Sequence, residues 1–417
     1  MLSQHTSRSL AAACAADGEF RIASRRWTGG LRLEHPAGAL TLALDDGRAF
    51  AGDAPAGAPG VIALAAPDAV WAGLLAATPA RFQTDVSNLI GARQMTLAAD
   101  PVCYAQYYPA VMRAVELLRP ARDEPAAPPP PAPGSFDSPV GRYIHLAIAG
   151  QDYRVYFEEA GAGIPLLLQH TAGCHGAQWR HLFERPEITG RFRLIAYDLP
   201  FHGKSLPPVG PKWWAEPYQL TGDFLRAVPV ALAGALGLDR PVFMGCSVGG
   251  LLALDLALHH PDLFSAVISL EGALKIETDI KALGALWDPR IGSDYKARLM
   301  NSLMSPTSPE ALRKETSQVY AAAWPPAFLG DLHYYLEDYD LRATAAAIDT
   351  KRVAVHILSG EYDASGTSEH GRAAHEAIAG STWAAMEGVG HFPMSENPEA
   401  FLRYLLPVLD RVAAERR

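Results

Sequence analysis

Hydrophobic and polar positions change rhythm along this chain. Up to residue 120 the pattern is mixed. Arg26–Glu34 and Ala39–Arg48 alternate and read as strands, with a hairpin-like Asp45-Asp46-Gly47 turn. Val61–Leu64 and Gln94–Ala98 are shorter strands. Between them Asp68 caps a helix in which Val70, Trp71, Leu74 and Leu75 recur at helical spacing. Asp100–Leu118 is an amphipathic helix with a wide apolar stripe of Tyr104, Tyr107, Tyr108, Val111, Met112, Val115 and Leu118. This order predicts a small antiparallel α+β domain over residues 1–120, with no catalytic cluster of its own.

The rhythm stops at residues 121–136, where Pro-Ala-Ala-Pro-Pro-Pro-Pro-Ala-Pro favours extended polyproline II, so this stretch reads as a semi-rigid linker. It restarts with an alternating hairpin, Tyr143–Ile148 and Tyr153–Glu159. Continuous apolar runs follow at Ile164–Gln169, Phe192–Tyr197, Val242–Met244, Ala266–Leu270 and Val353–Leu358. Such runs fit strands buried on both faces. Helical stretches between them, for example Leu220–Leu236, predict a mostly parallel sheet covered on both sides.

Composition narrows the picture. The 417 residues suit two domains, and 49% hydrophobic with 19% charged residues is ordinary globular content. A formal net charge of -9 argues against a nucleic-acid or anionic-membrane surface. Cys14, Cys103, Cys174 and Cys246 are scattered without metal-ligand spacing, which points to a reducing cytoplasm. The apolar stretch at residues 10–16 is short and meets Asp17 and Glu19, so no signal peptide is expected. No stretch reaches the about 18 uninterrupted apolar residues of a membrane span.

The candidate chemistry centres on Gly245-Cys246-Ser247-Val248-Gly249. It lies between the run ending at Met244 and the helix-like Leu251–Leu258. Strand, tight turn with a serine, then helix is a nucleophile elbow. Gly245 and Gly249 let the backbone fold back, and the helix start favours a developing oxyanion. A serine hydroxyl is a weak nucleophile and needs a histidine base, itself oriented by a carboxylate.

Further motifs make residues 140–417 resemble the α/β-hydrolase family. Ser247 matches its nucleophile. Asp363, in Leu358-Ser-Gly-Glu-Tyr-Asp363, matches its acid, and His391, in Gly388-Val-Gly-His391-Phe-Pro, its base, in the expected chain order. Glu361 and Glu271 are the alternative acids. The resemblance implies oxyanion donors at the amides of Val248 and Ala172, the latter in His170-Thr171-Ala172-Gly173. Thr171 stands where the family has glycine, and its hydroxyl is a further candidate donor. Asp198-Leu-Pro-Phe-His-Gly-Lys-Ser205 matches a structural loop of the family, with Phe201 in place of a glycine.

Taken together the expectation is an α/β fold: an α/β-hydrolase domain over 137–417 with a mostly parallel sheet, preceded by the small α+β domain. A helical cap is expected at about 273–345. His170, Cys174, His175, Trp287 and Trp324 are candidate pocket residues. Serine at the elbow excludes the dehalogenase and epoxide-hydrolase branches, which use aspartate. What remains is a serine hydrolase, with a carboxylic ester as the first expectation. Lactone, amide, carbamate or carbon–carbon hydrolysis by the same triad are alternatives, as is a non-enzymatic ligand-binding protein. No metal or cofactor is implied; the expected partner is a small molecule with an apolar part. The first domain weakly resembles a sterol-carrier-type lipid-binding module, implying a small apolar cavity or a homodimerisation unit.

Overall fold

The computed structural model describes residues 2–126, 129, 131–277 and 280–415. Parts of the expected linker (127, 128, 130) and of the expected cap (278, 279) lie outside the described residues. The chain divides into two units: residues 1–124 with 284–302, and residues 125–283 with 303–417. Residues 284–302, expected in the helical cap, therefore group with the N-terminal unit.

That unit holds a five-stranded sheet, β1 (Gly29–His35), β2 (Gly38–Asp45), β3 (Arg48–Ala51), β4 (Gly60–Ala65) and β5 (Thr96–Ala98), in the order β3-β2-β1-β4-β5. The expected all-antiparallel pairing needs correcting: β1 runs parallel to β4. The antiparallel strands β2 and β3 fill one side of β1, and the Gly/Pro-rich residues 52–59 carry the chain to the other side. Alternation marks which residues form strands but carries no information on which strands pair. Where β1 and β4 begin, Gly29 and Gly60 approach so closely that a Cβ on either would overlap the backbone opposite. Trp27 Nε1 donates to the Gly60 carbonyl at 2.7 Å.

Helices Ser7–Ala16 and Pro101–Glu116 help close this core. The first has a capping box from Thr6 and Ser9; the second is capped by Asp100, whose side chain accepts from the Cys103 amide at 2.9 Å. Phe20, Trp27, Trp71, Val111 and Val115 are fully buried in it. Helix Ser293–Asn301 belongs here too. Its nearly buried Arg298 reaches Glu116 at 2.8 Å and Asp85 at 3.3 Å. Tyr295 packs edge-on against Tyr108, whose hydroxyl donates to Asp85 at 2.7 Å.

The second unit is built on eight strands: β6 (Val140–Ile148), β7 (Gln151–Ala160), β8 (Ile164–Gln169), β9 (Phe192–Tyr197), β10 (Val242–Cys246), β11 (Ala266–Leu270), β12 (Ala354–Gly360) and β13 (Thr382–Met386). Their order is β13-β12-β11-β10-β8-β9-β7-β6. From β13 to β9 every neighbour is parallel; β7 and β6 add an antiparallel edge. Every residue of β10 and β11 is buried, as their unbroken apolar runs predict. Edge strand β13, half-buried and short, has no such run. Between β11 and β12, helices Glu310–Ala321 and Pro325–His333 lead into a π-helical turn, Tyr334–Asp338.

Candidate active site

Ser247 sits between β10 and the helix Val248–His259, with φ 59° and ψ -112°. A non-glycine residue there is strained, and the surroundings hold it: its amide donates to the Leu270 carbonyl at 2.9 Å, and the Leu251 amide donates to its carbonyl at 2.9 Å. A Cβ at Gly245 would run into the Gly249 backbone, and one at Gly249 would lie 2.8 Å from the Gln169 carbonyl oxygen. Both glycines are therefore required for the turn. Val248 opens the helix, where the first amides have no intrahelical acceptor and point toward the serine end. Ser247 is 5% exposed.

Asp363 follows β12 and His391 follows β13. His391 Nδ1 and Asp363 Oδ2 are 2.6 Å apart. The amides of Ser365 and Gly366 donate to the same carboxylate at 2.7 and 3.0 Å. Burial opposes ionisation, but His391, the Ser365 amide and a hydrogen bond from Glu271 hold Asp363 below the usual carboxylate range. The reverse holds for Glu271. Burial and the charge of Asp363 push it well above that range, although both its oxygens accept from the Gly360 amide at 2.8–2.9 Å. Burial thus favours the protonated form of Glu271 beside the carboxylate of Asp363. Glu361 points elsewhere and accepts from the Gly388 amide at 2.8 Å.

Sequence reasoning missed Glu396. It is fully buried and accepts from the amides of Gly390 (2.8 Å) and Ser305 (3.0 Å) and from the Ser308 hydroxyl (2.9 Å). The His391 amide donates to the Leu303 carbonyl at 3.0 Å. The histidine loop is thereby tied to the segment of the insertion just before helix Glu310–Ala321.

The predicted oxyanion loop follows β8. His170 is buried with both ring nitrogens engaged by backbone: Nε2 accepts from the Leu199 amide at 3.1 Å and Nδ1 lies 2.8 Å from the Thr171 carbonyl. Burial, with His202 nearby, keeps His170 well below the ordinary histidine range, so it holds the turn as a neutral ring. Thr171 donates its amide and its hydroxyl to Gln178 Oε1, each at 3.0 Å, and its hydroxyl also pairs with Tyr320. With that proton engaged, the Thr171 hydroxyl receives from Tyr320 and has none left for an oxyanion. The Ala172 backbone amide has no hydrogen-bond partner among the described residues.

Three side chains from the insertion meet this region; Tyr320 is one of the aromatics the sequence offers as pocket lining, whereas Asp331 and Tyr335 carry no signal in local spacing. Tyr320 pairs with Thr171. The buried Asp331 carboxylate accepts from the Gly173 amide (2.7 Å), His202 Nε2 (2.8 Å) and the Tyr218 hydroxyl (3.1 Å). Burial would lower His202, but the Asp331 carboxylate, with the Pro200 carbonyl at its other nitrogen, raises it above the ordinary histidine value. The Tyr335 hydroxyl is hydrogen-bonded to Ser247 Oγ. Among the described residues this phenol, and not His391, is the partner of the serine hydroxyl.

The remaining candidates scatter. His175 and Trp324 line a cavity of about 300 Å³ with Asp198, Phe201 and Lys204, and neither Ser247 nor His391 borders it. Cys174 is fully buried. Trp287 lies in the N-terminal unit and is 50% exposed. No group of three or more potential metal ligands occurs among the described residues, and no described helix is long and apolar enough to cross a membrane.

The comparisons agree with this architecture. An uncharacterized protein of Mycobacterium tuberculosis is 28% identical over 276 residues, covering 60% of this chain and 76% of that protein. A pimeloyl-[acyl-carrier protein] methyl ester esterase of Vibrio vulnificus is 28% identical over 145 residues, 35% of this chain and half of that enzyme. A thermophilic esterase from Thermogutta terrifontis superposes with a TM-score of 0.57 at 20% identity, over 65% of this chain and 99% of that one, which is a likeness of fold. The sequence profile of the Alpha/beta hydrolase family matches residues 166–404, more than half of the chain. This protein therefore belongs to the alpha/beta hydrolase family.

Proposed function

We propose that the protein is a serine hydrolase of carboxylic esters that works through an acyl-enzyme. The observation that carries the reading is a serine at a strained, glycine-dependent elbow in the same fold unit as a 2.6 Å His391–Asp363 pair. Ser247 Oγ attacks the ester carbonyl carbon while His391 takes its proton. The carbonyl electron pair becomes an oxyanion, received by the amides of Val248 and Ala172. As the C–O bond to the alcohol breaks, His391 returns that proton to the departing oxygen. Water then attacks the acyl-enzyme, giving its proton to His391 and freeing the acid and Ser247. Asp363 fixes the histidine tautomer and stays ionised. Glu271, whose protonated form burial favours, then adds a hydrogen bond and no second negative charge.

The methyl ester esterase named among the relatives supports an ester with a small alcohol part. A p-nitrophenyl ester series and a fluorophosphonate probe test the reading. Wild type is expected to hydrolyse the esters and to be labelled, with both lost in Ser247→Ala. Equal labelling of the two proteins overturns it.

A further inference from the structure

Tyr335 is fixed at the nucleophile from both sides. Its π-helical turn is closed by the Tyr339 amide bonding the Tyr334 carbonyl at 2.9 Å. Single π-turns are rare and concentrate at functional sites. On one side, the Tyr334 hydroxyl donates at 3.0 Å to Asp255, which lies on the helix that begins at the elbow. On the other, the Tyr339 hydroxyl donates at 2.7 Å to the Ala273 carbonyl, just past β11. The ammonium of Lys275 closes the turn against the carbonyls of Tyr335, Leu336 and Tyr339 at 2.9–3.0 Å. Asp338 accepts from the Gly222 amide at 2.6 Å. Five anchors therefore aim one phenol at Ser247 Oγ.

A phenol hydrogen-bonded to the attacking oxygen of the free enzyme is one bond away from the carbon that oxygen will join. We propose that Tyr335 is a further catalytic residue: its hydroxyl passes its hydrogen bond from Ser247 to the oxyanion of the tetrahedral intermediate, as a third donor beside the two amides. No atom is transferred; the phenol keeps its proton throughout. Burial pushes its pKa well above the ordinary tyrosine value, so the phenol stays protonated and has a proton to donate. Because the turn is braced before substrate arrives, the donor needs no reorganisation as charge develops, the condition under which such contacts act most strongly.

The proposal rests on the serine-ester reading, and Tyr335→Phe separates the two. The variant removes one hydroxyl and keeps the ring, so the five anchors stay. Expected is a loss of about 100-fold in kcat, the scale of removing one oxyanion donor, with KM changed far less. A transition-state-like boronic acid should bind more weakly by a similar factor while the product acid binds as before. Fluorophosphonate labelling of Tyr335→Phe shows that the variant folds with an intact nucleophile. Labelling with kcat unchanged or increased overturns the proposal alone, making the phenol a plug over the serine. Failure of wild type to label or hydrolyse overturns the serine-ester reading and this proposal with it.

Discussion

The helical insertion between β11 and β12 has two halves with different destinations. Helix 293–301 lies in the N-terminal unit; helices 310–321 and 325–333 lie with the hydrolase sheet. In sequence the halves are alike, being amphipathic, interrupted by prolines and set with aromatics. They differ in the partners of two charges, the nearly buried Arg298 and the buried Asp331. Arg298 meets Asp85 and Glu116. Asp331 meets His202, the Gly173 amide and Tyr218. A buried charge without its partner costs several kcal/mol, so each pairing selects one destination among those that apolar packing would tolerate. An interval between two strands is not a domain; the partners of its buried charges decide where each part goes.

The largest effect is expected at Asp331. Replacing it by alanine leaves His202 Nε2 and the Gly173 amide unpaired beside the proposed oxyanion donor Ala172. We expect a loss of about 3–5 kcal/mol in stability, as for one partner removed from a buried pair, and of order 100-fold in kcat/KM from misplacement of the loop. The pair also has a pH signature. His202 is raised above its ordinary 6.5 in the folded protein, so its contribution is complete below that pH and is lost as pH rises through the raised value. His170, His175, Asp198 and Tyr218 face the same pair and shape the transition. The thermal midpoint of wild type should therefore approach that of Asp331→Asn as pH increases. A gap that is constant with pH breaks the ion-pair account.

Next in size is Arg298→Met. Asp85 then loses the Arg298 cation and Glu116 keeps Arg113 alone, at 3.5 Å, so about 3 kcal/mol of stability should go. The kcat of the protein that remains folded should stay within about twofold, the separation that independent sites give. Adding Asp85→Asn and Glu116→Gln should recover much of the loss, since no unpaired charge remains. A fall in kcat larger than the fall in folded fraction would mean that the first half of the insertion also serves the catalytic centre.

What could be read in advance follows the same physics. The elbow is legible because its strand, serine and glycines are contiguous, and the turns carrying Asp363 and His391 are local patterns next to apolar runs. The buried parallel strands are legible because burial on both faces leaves an unbroken apolar run. Pairing is not: β1 beside β4 depends on where the chain crosses, and β13 lacks a run because it is a half-buried edge. Tyr335, Asp331, Glu396 and Arg298 are illegible for a different reason. Each has a deciding partner more than 80 positions away, whatever local contacts it also makes, and no spacing rule spans such distances.

The smallest effect sharpens the comparison most, because it pits one tryptophan from each half against the other. Trp324 starts helix 325–333, lies 6.0 Å from Tyr218 and 6.1 Å from Phe201, and borders the cavity with His175 and Asp198. Tyr218 in turn donates to Asp331. Trp324→Ala should remove aromatic contacts of about 0.5–1.5 kcal/mol each and loosen that chain, so KM and stability should both shift measurably. Trp287, half exposed in the N-terminal unit, has no such neighbours among the described residues. Trp287→Ala should change stability by no more than about 0.5 kcal/mol and leave KM for the ester series unchanged. Steady-state kinetics on the two variants side by side decide it. If Trp287→Ala raises KM as much as Trp324→Ala does, the two halves share one substrate surface, and the division set by Arg298 and Asp331 is one of folding without being one of function.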